Sequence, residues 1–310
     1  MAVTTVMISA TTYCQGDCLD NCLDNCQDAC APTTSCYDSC CGHFILEAEV
    51  LYWRAFEGGL SNPCDEIEIN TVGDTSILDG RNHDPDPKWD LGFRVGIGYE
   101  FVNNCDLTVY WTRYDSQTDG GDDSTRHKWK IDLDVIDALY RCDCNWFSCF
   151  AFNPYLGVRY AKIDQSLRKN RITTIDDGDP EISRARIKER FWGVGPLFGV
   201  EGDVGLRCGF SLYGNVAVGV LYGHYDVNSR KVTVLDSGIT NFDRIENDTH
   251  AFPIVLDLGV GVRWSTCFCN DKLFMMQLGL EEHRYFNHNQ FCGYGDLSLA
   301  GLNFGIGIEY

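Results

Sequence analysis

The chain has 310 residues, 44% of them hydrophobic, and its 45 acidic against 25 basic residues give a formal net charge of −20. This charge argues against a nucleic-acid partner, because the phosphate backbone is itself polyanionic. No apolar run approaches the roughly 18 residues of a membrane helix, but a barrel strand needs only about 9–11 residues, alternately apolar.

Residues 1–42 form a separate cysteine-rich segment. Its first ten residues lack the Lys or Arg of a signal peptide, so we interpret the chain as a mature form with a start Met or as a truncated gene model. Five of its cysteines recur at every fourth position, which would place them along one side of a helix. Seventeen cysteines in all fit an oxidising compartment.

Residues 43–310 repeat a period-two pattern in which apolar side chains alternate with small or polar ones. This spacing puts alternate residues on opposite faces of a strand. The pattern occurs in segments 44–53, 89–101, 106–112, 128–135, 154–160, 192–201, 210–222, 252–264, 274–281 and 297–310. It predicts an all-β, antiparallel transmembrane barrel of about ten strands, with eight and twelve as alternatives. A soluble barrel, which would bury the apolar face, stays open as a further alternative.

The two faces of each predicted strand have separate roles in a membrane barrel. The apolar face meets lipid, as Trp129, Ile131, Leu133 and Val135 would in the fourth segment. The other face lines the lumen. The predicted luminal charges are Glu47, Glu49, Asp90, Arg94, Glu100, Lys128, Lys130, Asp132, Asp134, Arg159, Glu201, Asp257, Arg263 and Glu281.

The connections alternate between long and short, as in outer-membrane barrels with long outside loops and short periplasmic turns. The predicted long loops are 56–87, 117–125, 171–184, 225–249 and 286–294, and the short ones lie at 103–104, 142–149, 201–207 and 267–271. An even strand count then puts both termini in the periplasm.

Aromatic residues near the strand ends predict two interfacial girdles. The outer girdle would contain Tyr52, Trp89, Trp111, Trp129, Tyr160 and Tyr222, and the periplasmic one Phe44, Phe101, Phe210, Trp264, Phe274 and Tyr310.

The last strand carries Phe304, Ile306, Ile308 and Tyr310 on its lipid face and ends on an aromatic residue. We interpret these four as the signal read by the barrel assembly machinery.

On this topology 15 of the 17 cysteines fall on the periplasmic side. Oxidation there predicts a disulfide-linked rim that joins the amino-terminal segment to the barrel, to other envelope proteins or to other copies. The cysteines concerned are Cys14, Cys18, Cys22, Cys26, Cys30, Cys36, Cys40, Cys41, Cys105, Cys142, Cys144, Cys149, Cys208, Cys267 and Cys269. Zinc binding by the Cys-x-Cys pairs is a weaker alternative.

The order of five motifs resembles the Legionella-type pore-forming major outer membrane proteins, in particular the relatives in chlamydia-related bacteria. The motifs are HFILEAEVLYWRA (43–55), WDLGFRVGIGYEF (89–101), NPYLGVRYA (153–161), FWGVGPLFGVEG (191–202) and GLNFGIGIEY (301–310). The resemblance implies a pore in the bacterial outer membrane and, in the chlamydia-like group, a disulfide-linked envelope.

Enzymatic chemistry is the less favoured interpretation. Asp84, Asp86, His224 and Asp226 could form an omptin-like protease site by activating a water molecule. Asp119, Asp122, Asp123, Asp176, Asp177 and Asp179 lack the spacing of a known calcium loop. We therefore expect no catalysis, metal or cofactor. We expect a porin-like pore, narrow and mildly cation-preferring, for passive diffusion of ions and small solutes. A plug of paired charges in a structural or adhesive barrel is the alternative.

Overall fold

Thirteen strands build the structure, a computed structural model that describes residues 42–58, 87–121, 125–147, 150–174, 180–235, 238–268, 272–290 and 295–310. Within these ranges no helix has the length and apolarity needed to cross a membrane. The strands are β1 (His43–Glu57), β2 (Trp89–Phe101), β3 (Cys105–Gly121), β4 (Thr125–Cys142), β5 (Cys144–Phe147), β6 (Phe150–Thr174), β7 (Pro180–Gly205), β8 (Phe210–Val220), β9 (Tyr222–Leu235), β10 (Gly238–Ala251), β11 (Ile254–Phe268), β12 (Lys272–Asn289) and β13 (Gly295–Glu309).

Ten of these strands close into an antiparallel barrel, as the alternation predicts. The ring runs β1–β2–β3–β4–β6–β7–β8–β11–β12–β13, and β13 pairs back onto β1. At the seam, Phe44 and Tyr310 exchange backbone hydrogen bonds with N···O distances of 2.7 and 3.0 Å. Closure pairs each strand on both sides, which is what a sheet needs in order to cross a lipid bilayer.

The remaining strands continue members of the ring. β5 follows β4 after Asp143, and β9 follows β8 after Leu221. β10 precedes β11, from which Phe252 and Pro253 separate it. We call the end with the short turns the lower end and the opposite end, where β9 and β10 lie, the upper end.

The strands extend further at the upper end than the sequence indicates. The predicted loops 117–125, 171–184 and 225–249 are wrong in large part, because β3, β4, β6, β7, β9 and β10 continue through most of them. β9 pairs with the upper half of β7 from Val194–Tyr222 to Ile182–Val234. These segments read as loops because their outer face is polar, although Thr118, Tyr225 and Val227 on their inner face are buried.

Between two aromatic girdles the outer wall is apolar and exposed, as predicted. The upper girdle is formed by Tyr52, Trp89, Trp111, Tyr160, Trp192 and Tyr222, and the lower girdle by Phe44, Tyr99, Phe101, Phe210 and Tyr310. Ring contacts support both: Tyr52 stacks on Trp89 at 5.0 Å, and Phe44 lies 5.1 Å from Tyr99. We take the segments between the girdles as membrane-spanning.

The predicted facing of β4 is wrong. Trp129, Ile131, Leu133 and Val135 are buried inside the barrel, and Trp129, with 2% exposure, does not belong to a girdle. The charged residues Lys128, Lys130, Asp132 and Asp134 therefore lie on the outer wall and do not line the lumen. This half of β4 lies above the upper girdle, where the outer wall meets water and the interior is the apolar side.

Because Leu133 of β4 points into the barrel and Asp132 points outward, substitutions at these two neighbouring positions are expected to have different effects on stability. Leu133→Asp places an unpaired charge in the apolar interior and is expected to destabilise the barrel by roughly 3 kcal/mol. Asp132→Asn, the matched control, removes only an exposed ion pair with Lys130 and should change stability by less than about 1 kcal/mol. The measurement is the temperature at which the folded barrel loses its fast-migrating band on a gel. Equal loss in both variants would contradict this facing.

Candidate functional site

The lumen is filled by two layers of side chains. Between the girdles lies a layer of arginines and carboxylates, which we call the charged layer. Above it lies a cluster of buried apolar side chains, which we call the upper seal. A gap of about 20 Å³, lined by Trp53, Arg94, Arg159 and Tyr285 among others, marks the boundary between them.

Two arginines in the charged layer each join a carboxylate on the neighbouring strand to a carboxylate three strands away in the ring. The Arg94 guanidinium lies 2.7 Å from Glu49 and 3.2 Å from Glu281. Arg159, which is 4% exposed, lies 2.7 Å from Asp137. It also lies 2.8 Å from Asp257 on β11, three strands away around the ring. Charges taken out of water must be paired in this way to be tolerated.

Two further arginines repeat the arrangement closer to the lower end. Arg263 lies 2.7 Å from Glu201 and 3.0 Å from Asp203. Arg141 lies 3.6 Å from the same Glu201 and 3.9 Å from Asp106. The charges thus form a network that links strands that are not neighbours in the ring.

His283 connects the first two pairs. Its Nδ1 lies 2.8 Å from Asp257, and its Nε2 lies 3.5 Å from Glu281. Arg94 and Arg159 are therefore held in one network through a single imidazole.

Two cavities adjoin this network. One of about 140 Å³ is lined by Glu49, Arg94 and Asp257, and one of about 120 Å³ lies below it and is lined by Glu100 and Asp143. Both are large enough for several water molecules. Side-chain nitrogens of Arg141, Arg159 and Arg263 are buried without a protein acceptor in the described ranges, so this space suits water or small ions.

The upper seal draws apolar side chains from eight of the ten ring strands and from β9. Its members are Leu51, Trp53, Ala55, Tyr114, Trp129, Ile131, Leu133, Val135, Ala161, Ile163, Leu167, Ile187, Phe191, Leu221, Tyr225, Val227, Val255, Tyr285, Leu297 and Leu299. The rings of Phe191 and Tyr225 lie 4.6 Å apart. Phe191 packs over Gly193 and Gly223, where a β-carbon would collide with its ring.

A polar cluster is buried within the upper seal. Gln165 accepts a hydrogen bond from the Trp129 indole at 2.9 Å and donates one to Glu57 at 3.1 Å. His288 Nδ1 lies 3.3 Å from Gln165 Nε2 and 3.3 Å from Glu189, and both His288 and Glu189 have no exposed surface. The cluster ties five strands together, β1, β4, β6, β7 and β12, in an otherwise apolar region.

Burial keeps two members of this cluster neutral. Glu189 lies five residues above Val194, which pairs with Tyr160 and Tyr222 of the upper girdle, so it lies outside the membrane-spanning segment. Burial raises the pKa of Glu189 to about 8 and lowers the pKa of His288 to about 3. The contact between them therefore joins a protonated carboxyl to a neutral imidazole at neutral pH.

The lumen contains most of the residues predicted to line it. Glu47, Glu49, Arg94, Arg159, Glu201, Asp257, Arg263 and Glu281 line the upper cavity, and Glu100 lines the lower one. Asp90 accepts a 2.6 Å hydrogen bond from Ser116. The sequence reasoning missed Asp106, Asp137, Arg141, Asp203 and His283. Asp137, Arg141, Asp203 and His283 continue the inward phase of a strand beyond the stretch in which the alternation is regular, whereas Asp106 stands at the first position of such a stretch.

The predicted cysteine rim is described only in part. Cys105 and Cys142, which pair in register between β3 and β4, form a disulfide, and Cys267 is also disulfide-bonded. Cys208 is exposed in the turn between β7 and β8. Cys14 to Cys41, Cys149 and Cys269 lie outside the described residues, and the structure says nothing of the Cys144 side chain. Cys142 is thus oxidised and does not join Cys144 in a metal pair.

The candidate hydrolytic residues are not gathered in the lumen. His224 lies on the outer wall, where its Nε2 contacts Asp248 at 2.8 Å. Asp84 and Asp86 lie outside the described residues, as do Asp122, Asp123, Asp176, Asp177 and Asp179. In the part of the chain that the structure describes, no group of His, Cys, Asp and Glu side chains could hold a metal ion.

Comparisons with known proteins agree with the barrel architecture. The model of a family described as Legionella pneumophila major outer membrane protein precursor matches residues 39–309. No curated protein matches the chain.

Similar solved structures include the outer membrane protease OmpT of Escherichia coli, with 8% identity and a TM-score of 0.46 over 87% of this chain and 96% of that one. A major outer membrane protein of Thermus thermophilus has 14% identity and a TM-score of 0.31 over 87% and 100%. Ail of Yersinia pestis has 10% identity and a TM-score of 0.29 over 87% and 99%. At these values none of them carries a functional argument.

The buried Glu189 predicts a pH-dependent effect on stability. Its pKa of about 8 in the folded protein exceeds the ordinary 4.5, so its contribution to stability is greatest below pH 4.5 and is lost as the pH rises through 8. Glu189→Gln cannot ionise and should raise the unfolding temperature more at pH 8 than at pH 5. Heat-modifiability on gels measures this difference, and Glu246→Gln on exposed β10 is the control. A larger benefit at pH 5 would contradict the buried, protonated state.

Proposed function

Since the chain belongs to the Legionella major outer membrane protein family, we propose that this outer-membrane barrel is structural and is closed to free diffusion in the conformation described above. The upper seal is the observation that carries this proposal. Its aromatic and aliphatic side chains occupy the upper lumen, and Trp53, Tyr114, Phe191, Tyr225 and Tyr285 are all fully buried there. A hydrated channel would leave such side chains in contact with water.

The size of the ring is consistent with closure. Interiors of eight-stranded barrels are just wide enough for side chains to fill, whereas open water channels occur at about 16–18 strands. Ten strands lie near the narrow end of this range. Large aromatic residues in the seal supply the volume that the two additional strands require.

A narrow pore is the second candidate, and the cavities of the charged layer favour it. They are lined by the carboxylates Glu47, Glu49, Glu100, Asp106, Asp137, Asp143, Glu201, Asp203, Asp257, Glu281 and Glu309 and by the guanidiniums Arg94, Arg141, Arg159 and Arg263. Eleven carboxylates against four guanidiniums and the imidazole of His283 would favour cations if the upper seal opened.

The membrane orientation is part of the proposal. We place the lower end and both termini in the periplasm, because the turns there are short, as at Asn104, whose φ is +58°. The apolar wall would contact outer-membrane lipid. Phe304, Ile306, Ile308 and Tyr310 lie exposed on that wall, where the assembly machinery could recognise them.

We propose no enzymatic role. His224 is paired with Asp248 on the outer wall, and the polar groups of the lumen are paired with one another beneath the seal. Neither arrangement gives a substrate access to a free general base.

The closed lumen predicts the outcome of planar-bilayer recordings. The wild-type protein should be almost silent, whereas the double variant Phe191→Ala/Tyr225→Ala should show a steady conductance with cation preference. Phe198→Ala/Phe210→Ala, which removes two rings from the lipid-facing wall, is the matched control and should stay silent. A steady conductance in the wild type would contradict closure and support the narrow pore.

The eight cysteines of residues 1–42 are expected to supply most of the links in disulfide-linked multimers of the envelope. Deleting residues 1–42 should abolish reducible high-mass bands on a non-reducing gel and leave a heat-modifiable barrel. Cys105→Ser/Cys142→Ser should leave those bands in place, because that disulfide is internal to the barrel. A full-length protein that runs as a monomer without reductant would refute the cross-linking role.

A further inference from the structure

Five basic residues form a continuous row across the outer wall above the upper girdle. The strand registers place them directly opposite one another on β4, β6, β7, β9 and β10: Lys128 with Arg168, Arg168 with Arg186, Arg186 with Arg230, and Arg230 with Arg244. Directly opposed residues share one face of a sheet. We call this row the basic ladder.

The basic ladder destabilises the strands that carry it. All five side chains are exposed, and like charges directly opposite one another in a sheet are destabilising. Within the described ranges, Lys128 and Arg244 each have an acidic neighbour, at 3.9 and 3.1 Å, whereas no ion pair is made by Arg168, Arg186 or Arg230. Such a row, in a chain with a net charge of −20, suits a negatively charged partner.

The distance of the basic ladder from the membrane favours some anionic partners over others. It lies eight residues above the row that contains Tyr160 and Tyr222, or about 20 Å for strands tilted by about 40°. Between the two levels lies a row with four carboxylates and one guanidinium. These residues are Asp132, Asp164, Arg190, Asp226 and Asp248. Phosphates of the lipid headgroups would meet this acidic row before they met the ladder.

We propose that the basic ladder binds an extended polyanionic glycan, sulfated or phosphorylated, that lies beyond the membrane surface and crosses the five strands. Neighbouring strands are about 4.8 Å apart, so the ladder presents closely spaced cations along a line, as a chain with regularly repeated anions requires. Guanidinium groups bind such oxyanions with two parallel hydrogen bonds. The proposal rests on the orientation given above but is independent of whether the lumen is closed.

The test measures binding of heparin, as a sulfated probe, to the full-length barrel in detergent. Arg168→Gln/Arg186→Gln/Arg230→Gln should weaken binding by about tenfold or more, and wild-type binding should fall steeply with salt. The matched control, Arg113→Gln/Lys162→Gln/Arg190→Gln, removes the same charge from outer-wall residues that already have acidic neighbours. It should change binding by less than about threefold.

The proposal would be overturned by no heparin binding of the wild type at physiological salt, or by equal weakening in both triple variants. Binding to lipopolysaccharide vesicles is measured in parallel. A ladder-dependent loss there, with heparin binding intact, would assign the ladder to the lipid and also overturn it. Because these assays need neither insertion nor conductance, their failure is separate from failure of the closed-barrel proposal.

One further variant separates binding from folding. Arg186→Glu puts a carboxylate between Arg168 and Arg230 and should raise the unfolding temperature, since opposed opposite charges are favourable. The same variant should lose heparin affinity. A gain in stability together with a loss of binding is expected only if the ladder is a binding surface, whereas loss of both would assign it a structural role.

Discussion

The closed hydrogen-bonded ring is the constraint on which the rest of the molecule depends. Once the ring is closed, each residue faces either the lumen or the surroundings along the whole strand, and its phase cannot change without a bulge. The surroundings do change, because lipid gives way to water at the upper girdle. The same strand must therefore be apolar outside and charged inside below the girdle, and polar outside and apolar inside above it.

This reversal explains why the lumen has two layers. Within the membrane the apolar residues are used on the wall, and the interior receives charges, which are tolerated because each arginine is shared between two carboxylates. Above the membrane the interior can be an ordinary apolar core, and it becomes the upper seal. The outer wall there is free to carry charge, and the basic ladder lies on it.

The sequence predicts the number of strands in the ring and, for most strands, which residues face the lumen. It does not predict that the apolar face changes from the outside to the inside above the upper girdle. The motif WDLGFRVGIGYEF spans from the upper girdle at Trp89 to the lower girdle at Phe101 and does not continue above it, so its apolar face is the lipid face, and the prediction that Arg94 lies in the lumen is correct. β4 crosses the upper girdle, and Trp129 to Val135 show an equally regular alternation whose apolar face points inward. A period of two identifies the two faces of a strand without saying which solvent each one meets. The partners of Arg159 come from β4 and β11, and only the closed ring brings them together.

The hairpin of β9 and β10 makes the two levels of the barrel mechanically different. Below the upper girdle the circumference is fixed, since widening the ring would break backbone hydrogen bonds along an entire strand. Above it, in the described part of the chain, β10 pairs with β9 alone, so the sheet of the upper level is open along the free edge of β10. An open sheet can widen or narrow by repacking of its side chains while every backbone pair is kept. The radius of the upper level is thus set by how tightly Tyr225, Val227 and their neighbours pack, and the radius of the lower level by the closed ring of backbone hydrogen bonds.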